Sequence, residues 1–500
     1  DGDTTADDIE FTLANASVAD GASITIDAST LTTDVVSIIG TAEADGAVTI
    51  KGGAGADDIR GTQSDLGDTL EGNGGIDTFT FASAQLTTLD TVNGGDGVDV
   101  LTLSDAATGT GAIVDADFTN VSSVETLNHA GSALTITLGA EAAEAGLVTL
   151  TGAAAANITT IGAGFTNDLA VSMVVGTETL TASAYTGDLT VTGDIDVITS
   201  ADTLTAGGSG TEILEITLDA TGDAALTAGD LANVSGFNEF KVGSNGAFGI
   251  ATHDNNIASG ATLNVTSAAM TTGALTLDGS AELDGNFNIT AAGSGDHQIT
   301  LGYGNDTYTS TSSAGEDVIA TAGTNTITTG DGADVITGGT GADTMNGEAG
   351  DDIFAFASAN LNSSDTISGG AGDDTIRMTN DSTVVDADFT NASSIKTLTA
   401  AGTSNLNVSL AAEAAEAGLS VITLVDAQAN SVVVGAGFTN DLAINLFTDT
   451  VADSIVATNY TKALTVNADV EELDTSTHTL TGGSGTDTLA ITVTTGATAL

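Results

Sequence analysis

The sequence predicts an all-β chain of stacked short-strand repeats, laid out as a tandem duplication. Three observations predict it: Gly/Asp motifs recurring at nine-residue intervals, short runs that alternate an aliphatic residue with Thr, and long matching segments far apart in the chain.

The strand signal comes first. Ala133 to Leu138 and Leu189 to Thr192 alternate apolar residues with Thr at period two, and Gly, Asn and Asp punctuate such runs throughout. The helical signal is confined to Ala140 to Ala145, stopped by Gly146, and its copy Ala412 to Ala417, stopped by Gly418. A one- or two-turn helix is expected at each.

The duplication is read from long matches. Val114 to Asn120 recurs at Val385 to Asn391, Ala140 to Leu147 at Ala412 to Leu419, and Gly162 to Leu169 at Gly435 to Leu442. Copy one is expected over 1–239 and copy two over 240–500. The offset between them is 239 near Asp20 and 275 at Phe79, just after the first Gly/Asp block, a difference of 36 residues, or four nine-residue units. Insertion in whole units implies that each unit is a structural quantum.

Composition narrows the function. The 500 residues include 68 acidic and 6 basic ones, for a net charge of −62. Phosphate binding needs Lys and Arg, so neither nucleic acid nor an anionic membrane surface is an expected partner. Apolar residues make up 41%, enough for a core, but aromatic ones only 4%, so that core is thin and aliphatic. No run of about 18 apolar residues exists, and membrane insertion is not expected. Cysteine is absent, which removes disulfides, zinc–thiolate sites and cysteine nucleophiles together and points to bound metal as the staple. Proline is absent too. Its slow isomerisation would hinder a chain that folds after export, and a parallel solenoid tolerates it badly; both readings stand. The chain starts at Asp1 rather than Met and ends at Leu500 in a strand-like run. It is expected to be a mature or trimmed segment of a longer array.

The chemistry lies in the motif Gly-Gly-x-Gly-x-Asp-x-aliphatic-x. Full matches begin at Gly52, Gly94, Gly338, Gly369 and Gly482. In copy one the candidate ligand residues are Gly53, Gly55, Asp57, Asp68, Gly75, Asp77, Asp90, Gly95, Gly97 and Asp99. In copy two they are Gly304, Asp306, Asp317, Asn325, Gly332, Asp334, Gly339, Gly341, Asp343, Gly350, Asp352, Asp365, Gly370, Gly372 and Asp374, followed by Gly483, Gly485 and Asp487. The register is regular: Asp68 to Asp77, Asp90 to Asp99, Asp334 to Asp343 to Asp352, and Asp365 to Asp374 are each nine apart, and Asn325 stands nine before Asp334. Glycines permit sharp turns and bare the backbone carbonyls. Calcium, a hard cation, takes six to eight oxygens, and carbonyls plus the Asp carboxylate supply them. The aliphatic residue two after Asp, such as Ile59, Leu101, Ile336 or Ile376, then points inward. Two nonapeptides make one coil of about 18 residues.

These motifs resemble the RTX (repeats-in-toxin) nonapeptides. The resemblance covers about 51–104 and 299–378, with short remnants at 193–215, where Glu212 takes the Asp slot, and 478–490. It implies parallel β-roll segments with calcium-filled turns and several bound Ca2+ ions, alternating with other short-strand β repeats. The intervening Phe118 to Leu127 and Leu231 to Phe237 are similar to repeats of bacterial RTX-type surface-layer proteins and adhesins. That similarity implies display on a cell surface after type I secretion.

Other features read as structural. A flexible Gly/Asp linker would lack an aliphatic residue at fixed phase. High-salt adaptation accounts for acids such as Asp7, Asp8 and Glu471, but not for those in register. His129, His253, His297 and His478 are scattered with no His-Glu-x-x-His, and His478, nine before Asp487, reads as a turn residue. Glu141 and Glu144 read as a solvated helix face. No catalytic set stands out, so a non-enzymatic role is expected. The expected function is a secreted calcium-binding structural protein, a subunit of a surface layer or extracellular fibre. Its expected partners are copies of itself and cell-surface polysaccharide. The alternatives are the stalk of a large adhesin and the secretion and folding region of an exported hydrolase or toxin.

Overall fold

The computed structural model describes residues 9–104, 112–129, 134–152, 157–218, 225–402, 404–424, 429–446, 451–470, 473 and 477–492. Asp7, Asp8, Ala133 and Glu471 lie outside them. The chain divides into two compact units, Asp1–Lys241 and Val242–Leu500. Every strand pairing described below is parallel.

In the first unit the chain coils so that each short strand pairs with the strand one coil later. One sheet runs through Val36–Ala42, Asp58–Arg60, Thr78–Phe81, Val100–Leu103, Thr126–His129 and Thr149–Gly152. Facing positions stay in register, which stacks Ile38, Ile59, Phe79, Leu101, Leu127 and Leu150 in one buried column. A second sheet, from Ser23–Asp27 through Ala47–Lys51, Thr69–Gly74 and Thr91–Asp96 to Val121–Ser122, supplies a facing column of Ile50, Leu70, Val92 and Val121. The alternation read from the sequence is the cause. At period two, one row of side chains points in and the Thr row points out. Thr135–Leu138 buries Ile136 and Leu138, and Leu189–Asp194 buries Leu189 and Val191. Burying each such side chain is worth about 1.5–3 kcal/mol.

The second unit repeats the plan. Val318, Ile336, Phe354, Ile376 and Leu398 form one column, and Tyr308, Ile327, Met345 and Ile367 the facing one. Successive coils are offset by 18 residues where nonapeptides run without interruption, as from Glu316 to Asp334 and on to Asp352, and by 22 where the turn is longer, as from Asp352 to Asp374. Ile59, Leu101, Ile336 and Ile376 are fully buried, as the motif phase requires.

The two helices expected from the sequence are single turns, Ala140–Glu144 and Ala412–Glu416. Their first N–H groups are capped from the neighbouring coil. Asp115 accepts from Gly139, Glu141 and Ala142 at 2.7, 3.3 and 3.0 Å, and Asp386 accepts equivalently from Ala411, Glu413 and Ala414. Among the described residues, no helix is long and apolar enough to cross a membrane.

Candidate metal-binding turns

The registered acids form ladders along the coils. In each rung, a carboxyl oxygen accepts the backbone N–H of the corresponding residue one coil earlier. Asp57 Oδ1 accepts from Val36 at 2.8 Å, Asp77 from Asp57 at 2.8 Å, and Asp99 from Asp77 at 2.8 Å. Asp68 and Asp90 form a second ladder, in which Asp68 accepts from Val48 at 3.0 Å and Asp90 from Asp68 at 2.8 Å. In the second unit Asp306, Asn325, Asp343 and Asp365 form one ladder, and Glu316, Asp334, Asp352 and Asp374 bind one another in the other. Residues nine apart therefore fall in alternate ladders, because half a coil separates them.

Asp317 takes no place in a ladder. It opens the strand Asp317–Ile319 on its exposed side, and the ladder place belongs to buried Glu316, whose N–H donates to Asp334 at 2.7 Å. A slip of one residue in a strand reverses the face of the side chain, so Asp317 faces outward where Glu316 faces the ladder. Two histidines also take ladder places. Nδ1 of His297 accepts from the Leu275 N–H at 2.9 Å, and Nδ1 of His478 from the Asp453 N–H at 3.1 Å. Burial lowers the His297 pKa, which keeps its ring neutral and able to accept. Beyond the nonapeptides, Asp202 and Asn430 accept in the same way from Glu178 and Leu406.

The glycines explain the turns sterically. A Cβ on any candidate glycine would collide with a carbonyl oxygen of the preceding coil: Leu31 beneath Gly53, Asp34 beneath Gly55, Gly55 beneath Gly75, Asn73 beneath Gly95 and Gly75 beneath Gly97. In the second unit Gly304, Gly332, Gly339, Gly341, Gly350, Gly370 and Gly372 stand over Gly285, Ala314, Thr321, Gly323, Gly332, Glu348 and Gly350, and Gly483 and Gly485 over Tyr460 and Lys462. Positive φ adds a second requirement at some of them, such as Gly97 (φ 153°) and Gly372 (φ 150°). The carbonyl oxygens thus line up as columns along each turn.

The first glycine of the motif carries a further feature. A Cβ on Gly72 would meet Asp77 Oδ2 and stand 2.5 Å from the Gly94 carbonyl oxygen. One on Gly347 would meet Asp352 Oδ2 and stand 2.9 Å from the Gly369 oxygen. Gly52, Gly94 and Gly369 pair the Oδ2 of Asp57, Asp99 and Asp374 with the carbonyl oxygens of Gly72, Ser123 and Ser394. Each is a methyl-sized cradle lined by a carboxyl and a carbonyl oxygen. The Oδ2 atoms of Asp77, Asp99, Asp306, Asp334, Asp343, Asp352 and Asp374 are buried and have no hydrogen-bond partner. Hard oxygens without donors, backed by carbonyl columns, are the donor set that calcium takes. Without metal they are strained electrostatically: burial pushes Asp77, Asp352 and Glu316 up to about 7 and Asp306 up to about 6.

Four candidate acids do not fit this description. Asp57 Oδ2, although beside Gly52, accepts from the Gly53 N–H at 2.7 Å. Asp68 Oδ2 accepts from the Thr62 N–H at 2.7 Å and from its hydroxyl, Asp90 Oδ2 from the Thr87 N–H at 2.8 Å and its hydroxyl, and Asp365 Oδ2 from the Asn362 N–H at 2.9 Å. Protein donors already hold both of their oxygens, so they build the coil rather than an open cradle. Asn325 donates its amide to the Ala322 carbonyl and to Asp343 Oδ1, and its own Oδ1 accepts from the Asp306 N–H. Asp487 accepts the Gly483 N–H at 2.8 Å and is exposed in the last described coil. Glu212 has one buried oxygen, Oε1, without a partner, while Oε2 accepts from Asn238 at 2.7 Å.

The family model for the RTX calcium-binding nonapeptide repeat matches residues 44–65, 313–354 and 361–377, in four copies. No curated protein and no solved structure matches the chain. Stacked parallel coils, glycine-bared carbonyl columns and unpartnered Asp oxygens in motif register agree with that match: the chain carries RTX calcium-binding nonapeptide repeats within an all-β, β-roll solenoid fold.

Proposed function

We propose that the protein is an exported, non-enzymatic structural subunit of a bacterial surface layer or extracellular fibre, folded and held rigid by Ca2+ once outside the cell. The observation that supports this reading most is the pair of carboxylate ladders with unpartnered oxygens. Such a ladder is poorly stable without cations, and bound cations stiffen it. Sites of about 10⁻⁴–10⁻³ M affinity, typical of extracellular modules, would stay empty in the cytosol and fill outside. Copies of the same chain are the proposed partners, with calcium offsetting the repulsion between surfaces of net charge −62, and cell-surface polysaccharide is the proposed anchor.

Electron microscopy of purified protein tests assembly directly. With millimolar calcium, ordered sheets or fibres of uniform spacing are expected, and chelator should disperse them. Monomers at every calcium concentration would instead favour the stalk of an adhesin, in which the same solenoid serves as a spacer.

A further inference from the structure

One acidic cluster lies outside every nonapeptide. Asp254 opens the short turn Asp254–Asn256, and Glu282 and Asp284 sit in the loop between Leu275–Asp278 and Asn286–Ala291. One ligand oxygen from each of the three carboxyls lies within 4.8 Å of the other two. Calcium binds oxygen at about 2.3–2.6 Å, so oxygens on opposite sides of one ion stand about 4.6–5.2 Å apart, and a single ion can bridge the cluster.

A second observation points to a ligand. Glu282 is completely buried; its Oε1 accepts from the Gly285 and Asp284 N–H groups at 2.8 and 3.2 Å, but its Oε2 has no partner. The ion pairs among the described residues include none of the three acids. The loop also stands at the head of a carbonyl column. The Glu282 carbonyl accepts the Tyr303 N–H at 3.1 Å, and the Gly285 carbonyl lies beneath Gly304.

The first unit holds a natural control. At the offset of 239, Asn15, Glu43 and Asp45 are the counterparts of Asp254, Glu282 and Asp284. The two places share loop contacts. Asn15 accepts the Ala44 N–H at 2.9 Å just as Asp254 accepts the Leu283 N–H at 3.0 Å, and Gly46 packs on Val18 as Gly285 packs on Ile257. Two things differ. The acid is an amide in the first unit, and Glu43 Oε2 is occupied by the Val18 N–H at 3.1 Å. The second unit has gained a carboxylate and left an oxygen open at one place.

We propose that Asp254, Glu282 and Asp284 bind one divalent cation of the calcium type, a site independent of the nonapeptides and present in the second unit only. The ion ties the 279–285 loop to the preceding coil and closes the head of the column that runs through Gly304.

The test is a count of bound ions on the full chain, by equilibrium dialysis against calcium at saturating concentration. Asp254→Asn recreates the arrangement of the first unit, which folds around Asn15, so circular dichroism should show an intact β-signal. It should bind one calcium fewer than the wild type, as should Asp284→Asn, whereas Asp45→Asn should leave the count unchanged. An unchanged count in either second-unit variant, or an equal loss in Asp45→Asn, overturns the proposal. None of these outcomes touches the nonapeptide turns or the assembly role.

Discussion

Asp77 and Asp90 hold equivalent places in the two ladders of the first unit, yet their second oxygens meet different fates. Each accepts an N–H from the previous coil at 2.8 Å through Oδ1. Asp77 Oδ2 then faces the Gly72 cradle with no donor, while Asp90 Oδ2 is held by the N–H and hydroxyl of Thr87. Asp202 repeats the second solution with Thr199. The first oxygen therefore builds the coil, and the second decides whether metal or protein completes it. The glycine-bared turn before Asp77 leaves the oxygen to a cation; a Thr three residues before the Asp, as at Asp90 and Asp202, supplies donors of its own. Dependence on calcium should follow turn chemistry locally, as expected of a solenoid whose repeats contact only their neighbours.

The largest effect should come from closing a column. Gly372→Ala forces a side chain onto the Gly350 carbonyl at φ 150°. It is expected to cost about 3 kcal/mol or more in calcium, read from the denaturant midpoint.

Asp77→Asn should separate the two solutions by sign. In calcium it removes a ligand charge and should destabilise by about 1–3 kcal/mol; in chelator it removes a carboxyl that burial has raised to about 7 and should stabilise. The pH dependence follows. Asp77 and Asp352 at about 7 and Asp306 at about 6 hold protons in the folded state that an unfolded Asp, at about 3.9, has already lost. Between about pH 4 and 7 the metal-free folded chain therefore binds more protons than the unfolded one, and its stability falls as pH rises. Unfolding midpoints in chelator should be higher at pH 4.5 than at 7.5, and calcium uptake near pH 6 should release protons.

The smallest effect should be Thr87→Ala, about 1 kcal/mol, equal with and without calcium, because Thr87 serves the protein-completed turn. A calcium-dependent loss at Thr87 would erase the distinction between the two turns.

Much of this was legible in the sequence because the period is rigid. The nine-residue phase located most of the ladders and the inward aliphatic column; Glu316 and His297 also stand in that phase, nine before Asn325 and Asp306, but the expectation falls on Asp317, and His297 reads as scattered. Residue type favoured Asp317 over Glu316, but in a strand phase decides which face a side chain takes, and Glu316 holds the ladder. Asp68 and Asp90 were in phase and reached the ladder, but phase says nothing about the second oxygen. That depends on the turn before the Asp, where Gln63, Ser64 and Leu66, or Gln85, Leu86 and Thr88, stand in place of the motif's glycines and Thr62 and Thr87 supply donors. The Asp254 cluster was invisible because its partners come from two coils joined only by folding.

Hydrogen exchange on the full chain, with calcium and then with chelator, tests the central claim most directly. The account predicts that chelation lowers protection in Thr78–Phe81 and Ile353–Phe356, which follow metal-type turns, by at least about tenfold more than in Glu178–Thr181 and Thr203–Thr205, where Asp202 is completed by Thr199. Equal loss in both sets, or no loss in either, would contradict it.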